Sequence, residues 1–252
     1  MKYVRFRLDD GTEHYGQLEG RQIKVLAGDL FDTNKKLTGT DYNLDEVKLL
    51  SPVQPGKLVC VGLNYRLHAK ESNMSVPEEP MLFMCSPEAI IAHGETIVLD
   101  NDQDRIDFEA EIGIVVGKKC KNVPASQAKE YIFGYTCAND VSNRDLQKKD
   151  IQFTRAKSFD TYKPLGPCIA TDIDPDNVAI KLWQNGQLKQ SSNTNDMIFS
   201  TGQLFEFISS IMTLNPGDVI ITGTPSGVAP MKAGDTILIE IEGIGQLENK
   251  VK

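Results

Sequence analysis

Three acids define the chemistry this chain could perform. In Asp107-Phe108-Glu109-Ala110-Glu111-Ile112-Gly113-Ile114-Val115-Val116, acidic residues open a stretch that then turns wholly apolar. Strand side chains repeat with period two, so Glu109 and Glu111 project from one face. Two carboxylates held that close repel each other. They persist where water solvates them, where one is protonated, or where a divalent cation sits between them. On spacing alone, a solvated strand edge is the commoner explanation of such a pair. Asp140 adds a third carboxylate at the end of the uncharged run Gly134-Tyr135-Thr136-Cys137-Ala138-Asn139, where a lone acid needs a partner. Three carboxylates without a Cys or His companion are a donor set suited to a hard cation such as Mg²⁺ or Mn²⁺, with positions left for water and substrate.

His68 and Glu71 lie three residues apart in Gly62-Leu63-Asn64-Tyr65-Arg66-Leu67-His68-Ala69-Lys70-Glu71. On a helix that spacing shares a face, so the carboxylate can orient the imidazole and raise its basicity toward water. The chain has three histidines. His14 falls in a strand-like N-terminal stretch and His93 in a Gly-flanked turn, where a structural or exposed role suffices, and such a role stays open for His68. In Phe153-Thr154-Arg155-Ala156-Lys157-Ser158-Phe159-Asp160, Arg155 and Lys157 lie between aromatics, as a solvated loop or as a hold on an anionic substrate. Thr222-Gly223-Thr224-Pro225-Ser226-Gly227-Val228 is a loop of small residues. It is either a plain turn or a place where backbone N–H groups and the Thr224 hydroxyl approach a carboxylate.

The elements that must position these residues are mostly strands. Val4, Phe6 and Leu8 alternate with charged residues, Asp9-Asp10-Gly11 and Glu19-Gly20 signal turns, and Ile23 and Val25 follow, which predicts a small β-meander over residues 1–50. Ser51-Pro52-Val53-Gln54-Pro55-Gly56 suits neither helix nor central strand, so a domain boundary is expected there, with the second domain over 57–252. Beyond it, short β-branched runs predict strands at Leu58–Val61, Glu95–Leu99, Ile112–Val116, Ile169–Thr171, Ala179–Trp183, Val219–Thr222 and Thr236–Ile241. Helices are few. The clearest is expected from Thr201 to Thr213, with Ser200 and Gln203 as a capping box, Leu204, Ile208 and Ile211 on one face, and Asn215-Pro216-Gly217 beyond its end. Two more are expected at Tyr65–Ser72 and Ala125–Tyr131. Helices this sparse exclude regular βαβ alternation and predict a mainly β fold with a few helices, of the α+β kind.

Composition narrows the function classes. The 252 residues carry 27 Lys+Arg against 35 Asp+Glu, a formal net charge of −8. That argues against a nucleic-acid protein, and no aromatic-rich basic stripe accompanies the doublet Lys148-Lys149. A 40% hydrophobic share with 25% charged residues suits a globular core. No apolar run reaches the roughly 18 residues of a membrane helix, and charges interrupt Met1-Lys2-Tyr3-Val4-Arg5-Phe6-Arg7 where a signal peptide would be continuously apolar. A cytoplasmic protein is expected. The cysteines Cys60, Cys85, Cys120, Cys137 and Cys168 show no CxxC pair and are expected as buried free thiols.

Taken together, these residues resemble the fumarylacetoacetate hydrolase family in its shorter bacterial branch. The resemblance rests on blocks in family order across about residues 57 to 250. They are Cys60-Val61-Gly62-Leu63-Asn64-Tyr65 with His68 and Glu71; Phe108-Glu109-Ala110-Glu111; Gly134-Tyr135 through Asn139-Asp140-Val141-Ser142 with Arg144 and Asp145; Lys157-Ser158-Phe159-Asp160 with Pro164-Leu165-Gly166-Pro167; Asn185-Gly186; Pro216-Gly217-Asp218; and Thr222 to Val228. The first fifty residues resemble the small N-terminal extension of this branch.

The resemblance implies a mixed β-sandwich roll with a small N-terminal β domain, usually a homodimer. It implies Mg²⁺ or Mn²⁺ on Glu109, Glu111 and Asp140, with His68 and Glu71 as a water-activating pair on a short helix that closes over ligand. It also implies Lys157 beside the reacting centre, and Arg144, Gln147 and Thr224 against the carboxylate or keto end of a pyruvate-like substrate. The activity so implied is C–C cleavage of a small 2,4-dioxo acid, an acylpyruvate hydrolase reaction. The same pyruvate enolate arises in oxaloacetate decarboxylation or tautomerisation and in 2-hydroxyhepta-2,4-diene-1,7-dioate isomerisation. A non-catalytic metal- or metabolite-binding protein would keep the carboxylates without a base, and the presence of both His68 and Glu71 speaks against it. Full fumarylacetoacetate hydrolases carry a further metal-site aspartate ahead of the acidic strand that finds no counterpart here, which favours a smaller oxo-acid.

Overall fold

The protein is described by a computed structural model covering residues Met1–Lys252. In chain order its strands are β1 (Lys2–Arg7), β2 (Glu13–Glu19), β3 (Gln22–Ala27), β4 (Lys36–Asn43), β5 (Lys48–Leu50), β6 (Leu58–Val61), β7 (Leu82–Cys85), β8 (Ile90–Ile91), β9 (Thr96–Ile97) and β10 (Ile106–Asp107). They continue as β11 (Ala110–Val116), β12 (Ile132–Asn139), β13 (Ser142–Asn143), β14 (Lys163–Ala170), β15 (Ala179–Gln184), β16 (Gln187–Asn193), β17 (Val219–Ile221), β18 (Thr236–Ile241) and β19 (Gly245–Val251). The α-helices are α1 (Arg66–Glu71), α2 (Arg144–Lys149), α3 (Thr154–Lys157) and α4 (Thr201–Ile211). The fold is mainly β with a few helices, as the sparse helical patterning implied.

One large sheet runs β4-β3-β2-β1-β14-β12-β11-β17-β6-β7, with β5 joined to β1 and β8 to β14. A second sheet, β16-β15-β18-β19-β9, packs against it, with β12 against β18 and β19, and β14 against β19. The N-terminal meander joins the large sheet directly, because Lys2 and Tyr3 of β1 pair with Ala170 and Ile169 of β14. The connection at Ser51–Gly56 carries no regular structure.

β11 explains how acids come to lie inside the molecule. It sits between β12 and β17, and all seven of its residues are buried. Ala110, Ile112, Ile114 and Val116 face the larger core cluster, while Val115 belongs to a second cluster on the opposite face of the sheet. Period two puts Gly113 and Glu111 on Val115's side. The five cysteines are free and buried.

α4 carries both halves of the expected capping box, Gln203 N to Ser200 Oγ at 3.3 Å and Ser200 N to Gln203 Oε1 at 2.9 Å. Its buried stripe is Leu204, Phe205 and Ile208, while Ile211 is exposed, because Met212 already turns the chain to extended geometry. The segment expected as a helix at Ala125–Tyr131 is a 3₁₀ helix over Ala125–Glu130. Its i→i+3 bonds, such as Gln127 N to Pro124 O at 2.9 Å, suit so short a run.

Candidate active site

Strand register builds the acidic cluster. Ala110 pairs with Asn139 and Glu111 with Ala138, so one step further Glu109 stands opposite Asp140. Asp140 N donates to Glu109 O at 2.9 Å, and Glu109 N to Asn139 Oδ1 at 2.9 Å. On the other edge of β11, Gly113 pairs with Ile221, which places Gly223 opposite Glu111. Gly223 N donates to Glu111 Oε2 at 2.6 Å. Gly223 has φ +96°, and a Cβ there would stand 2.8 Å from the Asn64 Cβ. Only glycine brings this amide so close. Asn64 fixes the neighbouring loops, donating to Thr222 O at 2.8 Å and Phe199 O at 3.1 Å.

Glu109, Glu111 and Asp140 are buried, and their carboxylate oxygens lie within 4.8 Å of one another. Octahedral Mg²⁺ at about 2.1 Å from each oxygen would set neighbouring ligands about 3.0 Å and opposite ones about 4.2 Å apart. Three carboxylates gathered this closely, with no Cys or His among them, fit a hard divalent cation once the side chains close in on it.

Cations hold the cluster from behind and beside. Lys157 Nζ donates to Glu109 Oε2 at 2.8 Å and Asp140 Oδ2 at 2.7 Å. Lys163 Nζ lies 2.7 Å from Asp140 Oδ1, at an angle that forms no hydrogen bond. Its hydrogen bonds go instead to Val141 O and Tyr162 O. Arg144 donates to Glu109 Oε1 at 2.6 Å, Asp107 Oδ2 at 2.9 Å and Gln147 Oε1 at 2.8 Å. Burial pushes the Glu109 carboxyl up, but Arg144 and Lys157 override it and hold that carboxyl well below the usual range. Glu111, with no ammonium or guanidinium bound to it, is driven well above its ordinary value by burial and then by the charges of Asp140 and Glu109. Burial opposes the charge on Lys157, yet Asp140 and Glu109 raise it above the ordinary lysine value.

Above this floor lies a cavity of about 460 Å³ lined by His68, Glu109, Glu111, Arg144, Gln147, Lys157 and Thr224 among others. The short α1 forms its roof. His68 Nδ1 lies 3.2 Å from Glu71 Oε2, which leaves Nε2 as the ring nitrogen available to a ligand. Glu71 also accepts from Gly227 N at 3.2 Å, so the small-residue loop fastens the helix end. At its start, Leu67 N donates to Asp196 Oδ2 at 3.0 Å and Arg66 to Asp196 O at 3.1 Å.

The residues singled out in the sequence thus converge, but the expected substrate contacts Arg144 and Thr224 are already engaged. All of the Arg144 contacts above are to protein groups. Thr224 Oγ1 donates to Ala110 O at 2.9 Å and accepts from Gln190 Nε2 at 2.9 Å. His14 and His93 lie elsewhere, bonded to Thr12 Oγ1 and Glu248 N.

Sequence reasoning gave no role to Arg105, Asp107, Lys163 or Asn64. Lys163 carried a usable signal, since it opens the apolar strand β14 just as Asp140 closes an uncharged run. Asp107 is bridged by Arg105 and Arg144; the Arg144 contact gave no signal, because it joins two distant elements.

Comparison with known proteins agrees with this fold. Residues 57–252 match the model of the fumarylacetoacetate (FAA) hydrolase C-terminal family, and residues 1–52 match the Rv2993c-like N-terminal family. The chain belongs to the fumarylacetoacetate hydrolase family. It is 51% identical over 233 residues to the protein MJ1656 of Methanocaldococcus jannaschii, covering 92% of this chain and 95% of that one. It is 42% identical to the mitochondrial oxaloacetate tautomerase FAHD2B of Bos taurus, over 82% of this chain and 70% of that protein. A crystal structure of 2-hydroxyhepta-2,4-diene-1,7-dioate isomerase from Mycobacterium marinum superposes with a TM-score of 0.92 at 42% identity, covering 100% of this chain and 98% of that one. No helix of the protein is long and apolar enough to cross a membrane.

Proposed function

We propose that the protein is a divalent-cation-dependent enzyme that moves a proton on a small 2-oxo acid, with oxaloacetate keto–enol tautomerisation as the named reaction. The observation that carries this reading is the buried trio Glu109, Glu111 and Asp140, two of which, Glu109 and Glu111, line one cavity with His68. The names of the two 42% identical relatives support the choice of proton transfer over C–C cleavage. Mg²⁺ or Mn²⁺ held by the trio would act as a Lewis acid on the keto oxygen of the substrate.

The remaining work falls to side chains. Lys157, fixed between Glu109 and Asp140, places an ammonium where negative charge develops on the enolate, and it is preorganised for that purpose. His68 takes and returns the proton through Nε2, while Glu71 holds the ring through Nδ1. Burial of the floor keeps bulk water from screening these charges.

Acylpyruvate hydrolysis is the second reading. It is favoured by the partial exposure of the His68–Glu71 pair, 13% and 45% for the two side chains, which leaves room for an attacking water. Following enol absorbance and pyruvate release separately distinguishes them, using oxaloacetate and acetylpyruvate with Mg²⁺ or Mn²⁺ and with chelator. Cation-dependent loss of the oxaloacetate enol without pyruvate supports the tautomerase. Pyruvate from acetylpyruvate moves the assignment to the hydrolase, and no cation-dependent change in either compound contradicts both.

A further inference from the structure

The cavity wall holds two cations that the acidic floor does not neutralise. Arg105 precedes β10, and its Nε and Nη2 donate to Asp107 Oδ1 at 2.9 Å and Oδ2 at 3.1 Å. The guanidinium is thereby fixed in orientation while 53% of the side chain stays exposed. Its Nη1 has no partner among the protein's hydrogen bonds. Lys148 is exposed, forms no ion pair and lines the same cavity. It stands four residues after Arg144 on α2, on the same helix face and about 6 Å further along the axis. Backbone contacts lock the two elements together, Arg144 N to Arg105 O at 2.8 Å and Arg105 N to Asp145 Oδ2 at 2.8 Å.

The other cavity cations are committed. Arg144 is consumed by Asp107, Glu109 and Gln147, and Lys157 by Glu109 and Asp140. An uncharged substrate tail lying against Arg105 and Lys148 would strip water from both without replacing it. A terminal carboxylate would instead receive a preoriented guanidinium edge and an ammonium. In a chain of net charge −8, the unpaired Lys148 and the outward edge of Arg105 at a cavity also offset repulsion of an anionic substrate.

We propose that Arg105 and Lys148 form a second anion subsite that reads a terminal carboxylate, so that the preferred substrates are dicarboxylic oxo-acids. This rests on the oxo-acid reading of the cavity and assigns the residues that hold the carboxylate remote from the cation. Both residues determine specificity; neither is assigned to the reacting atoms.

The test is equilibrium calorimetry on the Mn²⁺-loaded full chain, which needs no turnover. Ligands are compared in pairs of equal length that differ only in the terminal carboxylate, 2-oxoglutarate against 2-oxopentanoate and 2-oxoadipate against 2-oxohexanoate. For at least one pair the diacid should bind about three- to thirtyfold tighter, as expected for two partly exposed charge pairs, and the preference should shrink as salt is added. The double variant Arg105→Gln/Lys148→Gln should bind both members of that pair alike, and the charge-keeping Arg105→Lys/Lys148→Arg should restore part of the preference. Equal affinities in the unmodified protein, or a preference that survives in the glutamine variant, would overturn the subsite while leaving the oxo-acid reading in place. Binding of neither diacids nor monoacids would overturn both.

Discussion

Glu109, Glu111 and Asp140 stand on or beside paired central strands with 4%, 1% and 1% exposure, whereas His68 and Glu71 ride a six-residue helix whose one buried residue is Ala69. The floor is set by sheet register and by the cations packed around it. The roof is set by a handful of hydrogen bonds to the loops at Asp196 and Gly227. Fixed charge placed in a dry interior costs no reorganisation during reaction, so the floor is suited to holding a cation and stabilising an enolate. A short helix tied by few contacts can open to admit substrate and close to bring a base near it. Rigidity and access are thus divided between two elements of one cavity.

Substitutions at the two levels should fail differently. Glu109→Gln removes a cation ligand and the partner of Arg144 and Lys157. Turnover should fall by roughly a thousandfold or more, the several kcal/mol that Lewis-acid stabilisation contributes, and added Mn²⁺ should not restore it. Lys163→Met leaves Asp140 short of a buried partner and should cost about 3–5 kcal/mol of stability in urea unfolding. A loss under about 1 kcal/mol would show that this pair behaves as though exposed. His68→Ala should lower kcat by about 10²–10⁴ while costing much less in unfolding than Lys163→Met, because it leaves no buried charge unpaired.

Protonation separates floor from roof as well. Burial and two neighbouring carboxylates raise Glu111 above its ordinary value, so in the cation-free protein it keeps a proton that the unfolded chain loses. The folded state then binds more protons than the unfolded one, and cation-free stability falls as pH rises from the ordinary glutamate value toward the raised one. Cation binding must expel that proton. The gain in Tm from Mn²⁺ should therefore be larger at about pH 8 than at about pH 6, and a gain that does not change with pH would place the proton elsewhere. The smallest effect belongs to neither level. Ser200→Ala removes half of the α4 capping box and should lower stability by about 1 kcal/mol, a Tm shift of about 2–4 °C, with turnover unchanged.

Most of the floor was legible in the sequence, because its chemistry follows a local pattern. Acids at period two before an apolar strand, and a lone acid ending an uncharged one, mark Glu109, Glu111 and Asp140 without any tertiary information. The α4 capping box was legible for the same reason. The supporting shell was not. Asp107 with Arg144, and Asp140 with Lys163, are brought together by sheet pairing between distant segments, and no periodicity within one segment reports that. Polar strands such as β4 (Lys36–Asn43) and β16 (Gln187–Asn193) also escaped, since they present mostly exposed or partly exposed faces and carry little apolar alternation. Ile211 was misplaced on the buried face of α4 because helical spacing extends the stripe past the point where Met212 leaves the helix.

The most direct test of the division between floor and roof is a set of Mn²⁺ binding isotherms measured side by side on the unmodified chain, Glu109→Gln and His68→Ala. One site per chain is predicted in the unmodified protein and retained in His68→Ala, with affinity reduced at least about tenfold in Glu109→Gln. Unaltered Mn²⁺ binding by Glu109→Gln, or its loss in His68→Ala, would contradict a cation held by the strands and a proton moved by the helix.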